Sequence, residues 1–332
     1  MPQGLLKRWS LDANTVHAYD LLVPHERVPP WSLRPIRGVA MLRDLYTDVD
    51  DGVETDELER WFATEIESPG LEASERVVLG KSIRPADWHA MIRMYVAQEI
   101  RTLQSYFEQQ ARWESSMQEF LERTLREGIE RLELARKEGR ILAATGFGGR
   151  HRLARPFKLE VLPNPEPGTG GVLAANVVVG RRLWLSGIPE LMQGKAMKTL
   201  LGYHWSILMP ADGFEWPLTD HPALRLGASR QSLNFQAGVG QRRADLIMPL
   251  SPQHLLHVEV GKRRPGFHKL SVPHTKAFRH ALVMRAFRTV FATQPRPWIP
   301  RARPRMVDRE RWNEEQAGWR DWHHVHLRAD AS

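Results

Sequence analysis

From Trp88 to Leu132 the apolar residues recur every three or four positions, and after Gly139 that rhythm stops. Trp88, Met91, Ile92, Tyr95, Val96 and Ile100 make one stripe. Trp113, Met117, Phe120, Leu121, Leu125, Ile129 and Leu132 make a second. A helix turns once per 3.6 residues, so such spacing gathers these side chains on one face and predicts a long helical hairpin over 85–139. Beyond it, Gly146, Gly148, Gly149, Pro163, Pro165, Pro167, Gly168, Gly170 and Gly171 punctuate the chain as loops between short strands do. Helices first and strands later predict an α+β class: a helical N-terminal part with a long helical hairpin packed on a C-terminal antiparallel or mixed sheet.

The remaining segments fit around that division. Pro24, Pro29, Pro30 and Pro35 forbid a long helix near the start, so 1–40 reads as an irregular lead-in. A single mixed domain then spans 41–293, with a helical part over 55–139 and a sheet-rich part over 140–293. A helix is expected from Thr55, with Trp61, Phe62 and Ile66 on its apolar side, ended or broken at Pro69-Gly70. Leu191–Leu201 and His274–Thr293 read as helices, the latter with Phe278, Leu282, Ala286 and Val290 inward. Strands are expected at Trp205–Leu208, Leu246–Met248 and Leu255–Val260. Residues 294–332 form a basic Pro/Arg/Trp tail whose first prolines favour extended chain.

Composition narrows the chemistry. With no cysteine, disulfides, thiolate metal sites and a cysteine nucleophile are all excluded. The longest apolar run, Val172–Val179, is too short to span a bilayer, and Met1–Asn14 lacks a signal-peptide core, so a cytoplasmic protein without membrane insertion is expected. The formal charge of +8 is unevenly laid out. Asp44–Glu75 holds twelve acids against Arg60 alone, whereas Val260–Val307 holds twelve Lys or Arg and no acid. Two readings follow: a basic surface for nucleic acid, or two segments that neutralise each other within the fold or across a dimer.

Several motifs are tempting and fail. Asp48, Asp50 and Gly52 do not continue into a calcium-loop frame. Gly146-Phe147-Gly148-Gly149-Arg150 lacks the Gly-Lys-Ser/Thr of a phosphate loop. Glu259 and Lys262 are three apart, where a nuclease strand needs acid and lysine two apart on one face. His257 and Glu259 share a strand face but His254 falls on the other, so this reads as a surface strand, not a metal centre. His323, His324 and His326 read as residues of a flexible tail. Asp220 is the strongest candidate left. It follows an apolar strand and precedes His221-Pro222, a place suited either to chemistry or to accepting backbone N–H bonds, with Thr219 reinforcing either role.

The order of the short motifs resembles the bacterial family called domain of unknown function 4238. The matching pieces are His17, Arg43-Asp44-Leu45-Tyr46, two spaced glutamates at Glu59 and Glu67, and Ala97-Gln98-Glu99-Ile100-Arg101-Thr102. Thr219-Asp220-His221-Pro222 follows, with Thr where the family has Ser, and then Pro249-Leu250-Ser251-Pro252. An Asn that the family often carries has no counterpart near Thr275. The resemblance covers His17 to Thr293 and implies no established activity.

Two functions remain open. In the first, the chain is a metal-assisted phosphodiester hydrolase acting on nucleic acid. Glu59, Glu67 and Asp220 would hold Mg²⁺ or Mn²⁺, ions that favour carboxylates. Arg101 would contact phosphate, Thr219 and Lys262 would bind substrate, and His17 would handle a proton. In the second, the chain is a noncatalytic nucleic-acid-binding or protein-interaction module using the basic 260–307 segment, with Phe267, Phe278, Phe287 and Trp298 for stacking.

Overall fold

The computed structural model describes residues 1–40, 45–50, 53–139, 157–163, 171–177, 180–227 and 233–331. Its helices are α1 (Gln3–Leu6), α2 (Glu57–Trp61), α3 (Ser68–Val78), α4 (Pro85–Ile100), α5 (Leu103–Lys137), α6 (Arg181–Gln193), α7 (Lys195–Leu201), α8 (Val272–Arg285), α9 (Trp298–Ala302) and α10 (Arg309–Ala331). Strands β1 (Thr15–Asp20), β2 (Leu22–Val23), β3 (Ser32–Pro35), β4 (Asp48–Asp50) and β5 (Val53–Thr55) precede the long helices. After them come β6 (Phe157–Pro163), β7 (Gly171–Val177), β8 (Ser206–Met209), β9 (Leu218–Thr219), β10 (Leu224–Leu226), β11 (Asp245–Ser251), β12 (His254–Glu259), β13 (Phe267–Lys269), β14 (Thr289–Ala292) and β15 (Met306–Val307). The class is mixed α+β, as the segregated periodicities predict.

The two helices of the apolar stripes follow each other with only Arg101 and Thr102 between them. At the start of α4, the Asp87 carboxylate accepts from the Arg84 backbone N–H at 2.8 Å and from its guanidinium, while Pro85 occupies the first turn. Both features satisfy or remove N–H groups that a helix start leaves unpaired. At the start of α5 the Thr102 hydroxyl accepts from the Ser105 N–H at 3.3 Å. The stripe of α4 becomes core, with Met91, Ile92, Tyr95, Val96 and Ile100 all buried, whereas the stripe of α5 leaves Phe120 and Ile129 exposed.

Pro69 does not end its helix. The chain stays helical from α2 into α3 through a π turn over Phe62–Glu67. A proline brings no N–H and crowds the carbonyl one turn earlier, and the wider turn relieves both. The Ser68 hydroxyl takes up the carbonyl of Ala63 at 2.8 Å.

Two sheets organise the rest. A four-stranded antiparallel sheet has the order β3-β1-β14-β9. A five-stranded mixed sheet has the order β10-β11-β12-β8-β13, with β13 parallel to β8 and the other pairs antiparallel. One face of the larger sheet, with Ile207, Leu246, Met248 and Leu256, joins the cluster that includes Met91, Tyr95, Trp184 and Leu200. Its other face, with Leu208, Ile247 and Leu255, packs with Trp216 and Leu282. Strand β12 is therefore buried in the middle of a sheet between two apolar layers, not at the surface.

Three expectations are corrected. Residues 1–40 are not irregular: β1 is an inner strand, and Leu5, Leu6 and Trp9 are buried. The prolines that argued against structure all fall after Thr15–Asp20, where Val16 and Ala18 alternate with His17 and Tyr19. The expected helix over 274–293 stops at Arg285, and Thr289–Ala292 is strand β14. The tail is built in: β15 pairs in parallel with β2, and α10 puts Trp319 and Trp322 against Tyr106 and Phe107. The three histidines of the tail lie within α10. The Gly146–Arg150 loop falls outside the described residues. Among the described residues, no helix is long and apolar enough to cross a membrane.

Candidate functional site at the α4–α5 junction

Arg101 sits in the break between two helices, and its guanidinium is buried. A buried guanidinium needs partners on every side. Glu67, at the end of the π turn, forms an ion pair with it. Phe62, at the start of the same turn, places its ring 5.1 Å from the guanidinium carbon. The Gln98 side-chain oxygen, turned toward Arg101, accepts from two of its nitrogens at 3.2 Å. The Tyr46 hydroxyl donates to the Arg101 carbonyl, and the indole of Trp184 donates to the Ile100 carbonyl at 3.1 Å. Tyr46 packs on Phe62 and Trp184, which carries the enclosure on to Tyr106.

The π turn also sets the direction of the two glutamates. In a regular helix, eight residues from Glu59 to Glu67 would leave them about 80° out of phase; one residue absorbed by a π turn reduces that to roughly 20°. Glu59 stays exposed while Glu67 turns inward to Arg101. Burial pushes the Tyr46 phenol up to about 12, with Arg101 opposing the rise and Glu67 and Glu59 adding to it. Burial and then Arg101 lower the Met1 amino group to about 5, against Glu67, Asp220 and Glu59, and this group donates to the Ala40 carbonyl at 3.1 Å. The charges of Glu59, Glu67, Arg101 and Asp220 thus all act on one locality.

Asp220 has a different occupation from its neighbours. Its carboxylate accepts from the backbone N–H groups of Phe287 at 2.8 Å, Arg288 at 2.6 Å and Thr289 at 3.0 Å. Those are the donors that a continuing α8 would have paired one turn back, so Asp220 ends that helix and releases the chain into β14. Burial raises its pKa despite these three bonds. Thr219 is buried, and its hydroxyl donates to the His221 carbonyl at 2.7 Å. The His221 ring lies 2.6 Å from the Thr102 hydroxyl and is lowered to about 3 by burial and by Arg285, so it is neutral at physiological pH. The 219–222 turn is therefore tied at one end to the α4–α5 break and at the other to the α8–β14 break.

The remaining candidates lie apart. His17 shares a pleat face with Tyr19, Val290 and Thr219, and the register sets it two strands and two residues from Thr219, roughly 12 Å at the backbone. Among the described residues, nothing links it to Arg101 or Glu67. Lys262 follows β12 and pairs with Glu259, which also takes Arg264. Among the described residues, no group of three or more His, Asp or Glu side chains is arranged to hold a metal ion. Asp220 already fills both of its oxygens with N–H bonds, and Glu67 commits one to Arg101. The carboxylate oxygens left for a divalent ion are those of Glu59 and the second oxygen of Glu67.

A second polar group has no motif along the chain. His257 on β12 contacts Asp245 on β11 at 2.7 Å through Nε2 and Ser206 on β8 at 3.3 Å through Nδ1. The order resembles a nucleophile, base and acid, yet Ser206 and His257 are both fully buried. A serine closed off from solvent meets no substrate, so the group holds three strands together. Only the strand register, invisible along the chain, aligns these residues.

The charge segregation also resolves. Among the described residues, no ion pair joins 44–75 to 260–307. Acids of the first stretch go to Arg8, Arg60 and Arg101. Arg285, Arg288 and Arg296 of the second pair with Glu108, Glu315 and Glu215, and Arg303 donates to the carbonyls of Val283, Met284 and Ala286.

The sequence pattern of the family described as "Protein of unknown function (DUF4238)" matches residues 1–296. No curated protein and no solved structure matches the chain.

Proposed function

The chain belongs to the DUF4238 family. From the junction's geometry we propose that it hydrolyses phosphodiesters, with nucleic acid as the substrate class. The reading rests on one observation: a buried guanidinium, two carboxylates on one helix face and a phenol, contributed by three separate segments, act on one locality. Arg101, closed in by Glu67 and Phe62, is a buried cation that orients Glu67 from behind the surface and does not itself face the substrate. Glu67 holds it in place. Glu59, exposed and without an ion-pair or hydrogen-bond partner among the described residues, is the carboxylate free to act on an incoming molecule. Mg²⁺ or Mn²⁺ fits as an ion recruited with the substrate, because such ions bind through one or two carboxylates plus phosphate oxygens and water. Glu59 and Glu67 would hold it, and it would supply charge to the phosphoryl oxygens. Asp220 and Thr219 take positioning roles, fixing the break where Arg101 and His221 meet.

Noncatalytic binding through 260–307 has weaker support, since most of that stretch's arginines are already tied to acids or carbonyls of the fold. The test is incubation of the purified protein with single- and double-stranded DNA and RNA in Mg²⁺, Mn²⁺ or EDTA. Metal-dependent cleavage is expected; intact substrates in every condition overturn the proposal.

A further inference from the structure

At one end of the five-stranded sheet, the residues before β11 and those after β12 form two facing turns. They border a half-open pocket of about 460 Å³ lined by Arg242, Arg243, Val260, Gly261 and Lys262. The turns are locked to each other by two backbone bonds of 2.9 Å, Arg243 N–H to the Val260 carbonyl and Val260 N–H to the Ala244 carbonyl. The base is therefore rigid, an extension of the β11–β12 ladder.

Arg243 has φ of 63°, a left-handed conformation that a long side chain adopts at a cost and that recurs at ligand clamps. Gly261, facing it, has φ of 88°, and a Cβ added there would come 3.8 Å from Arg242 Nε, so the Arg242 guanidinium lies over bare backbone. Among the described residues, the side chains of Arg242 and Arg243 have no ion-pair or hydrogen-bond partner. Lys262 pairs with Glu259, but that one carboxylate is shared with Arg264. The remaining acid at this end, Asp245, is engaged by His257. Arg225, Arg264, Arg285 and Arg288 of the sheet-rich part are each paired with an acid, so two guanidiniums without such a partner, both lining one pocket, differ from them.

We infer that this pocket is an anion site that takes the phosphate group of a nucleotide or of a nucleic-acid strand. Guanidinium forks match phosphate oxygens, and the cavity has room for a phosphate with part of its attached sugar. The inference does not depend on hydrolysis at the α4–α5 junction.

The test is titration calorimetry of the full chain with inorganic pyrophosphate, ATP and a short single-stranded DNA. Three proteins are compared: wild type, Arg242→Ala/Arg243→Ala, and a control with the exposed Lys195→Ala/Lys276→Ala, which removes the same charge elsewhere. The expected result is about tenfold or greater weakening in the arginine variant alone. Binding of pyrophosphate and ATP identifies a free phosphate ligand; binding of the DNA alone identifies a strand. Equal weakening in both variants means a diffuse basic surface and overturns the proposal, as does the absence of binding by wild type to all three probes. A thermal melt of each variant confirms folding, which these exposed substitutions leave intact.

Discussion

Replacing Asp220 by alanine removes the acceptor for three backbone N–H groups at once, those of Phe287, Arg288 and Thr289. A hydrogen bond to a charged group contributes about 1.5–3 kcal/mol, and an orphaned buried donor retains its desolvation cost. The three share one carboxylate and one loop, so their losses do not simply add; about 3–6 kcal/mol is the expected total, a large part of the roughly 5–15 kcal/mol that holds a domain folded. Asp220→Asn keeps one oxygen, which at the Oδ2 position still serves Arg288 and Thr289, and costs about 1–3 kcal/mol. Burial raises the folded pKa of Asp220 above 3.8, so its contribution is fully present below 3.8 and is lost as pH rises through the folded value. The deficit of the Asn variant is therefore largest in acid and smaller near neutrality. Urea unfolding followed by tryptophan fluorescence reads all three quantities. An alanine variant within about 1 kcal/mol of wild type would refute the positioning role assigned to Asp220.

Four further outcomes follow from the same contacts. Arg101→Met strands Glu67 without its cation and is expected to cost about 3–5 kcal/mol in denaturant unfolding. Asp87→Ala removes the α4 start and should cost about 1 kcal/mol; with the Asp87 pKa lowered to about 2, mainly by Arg84, its contribution is present above 3.8 and fades as pH falls through 2, which acid titration of the two proteins checks. Trp322→Ala removes a buried indole packed on Tyr106 and should cost about 3 kcal/mol, with α10 becoming the first site cut in limited proteolysis. Glu59→Gln, at an exposed position, should move stability by no more than about 0.5 kcal/mol.

The helical half was legible because its signal is local. Trp88 to Ile100 declare their face by spacing, and Pro85 with Asp87 declares the start. The errors occur where a distant residue decides. Nothing near Phe287 says that α8 must stop, because the acceptor that stops it is Asp220, 67 positions earlier in the chain. Strand β1 was hidden by prolines that lie beside it, not in it. The phase of Glu59 and Glu67 was readable only approximately, since a π turn has no sequence mark except the proline that follows it. The pairing of Arg101 with a glutamate was foreseeable from its place at the end of an apolar face. The Ser206–His257–Asp245 contact and the Arg242–Arg243 pocket depend on strand register, which one sequence without pairing partners does not encode in a readable form.

The most direct test of the central claim is the initial rate of nucleic-acid cleavage by Glu59→Gln against wild type at saturating Mg²⁺ or Mn²⁺, with unfolding curves measured on the same samples. The account predicts an unchanged unfolding midpoint and a rate lowered by about 100-fold or more, the scale expected when a group acting in the transition state is removed. A variant that cleaves as fast as wild type would contradict it, because the carboxylate left free at the junction would then have no part in the reaction.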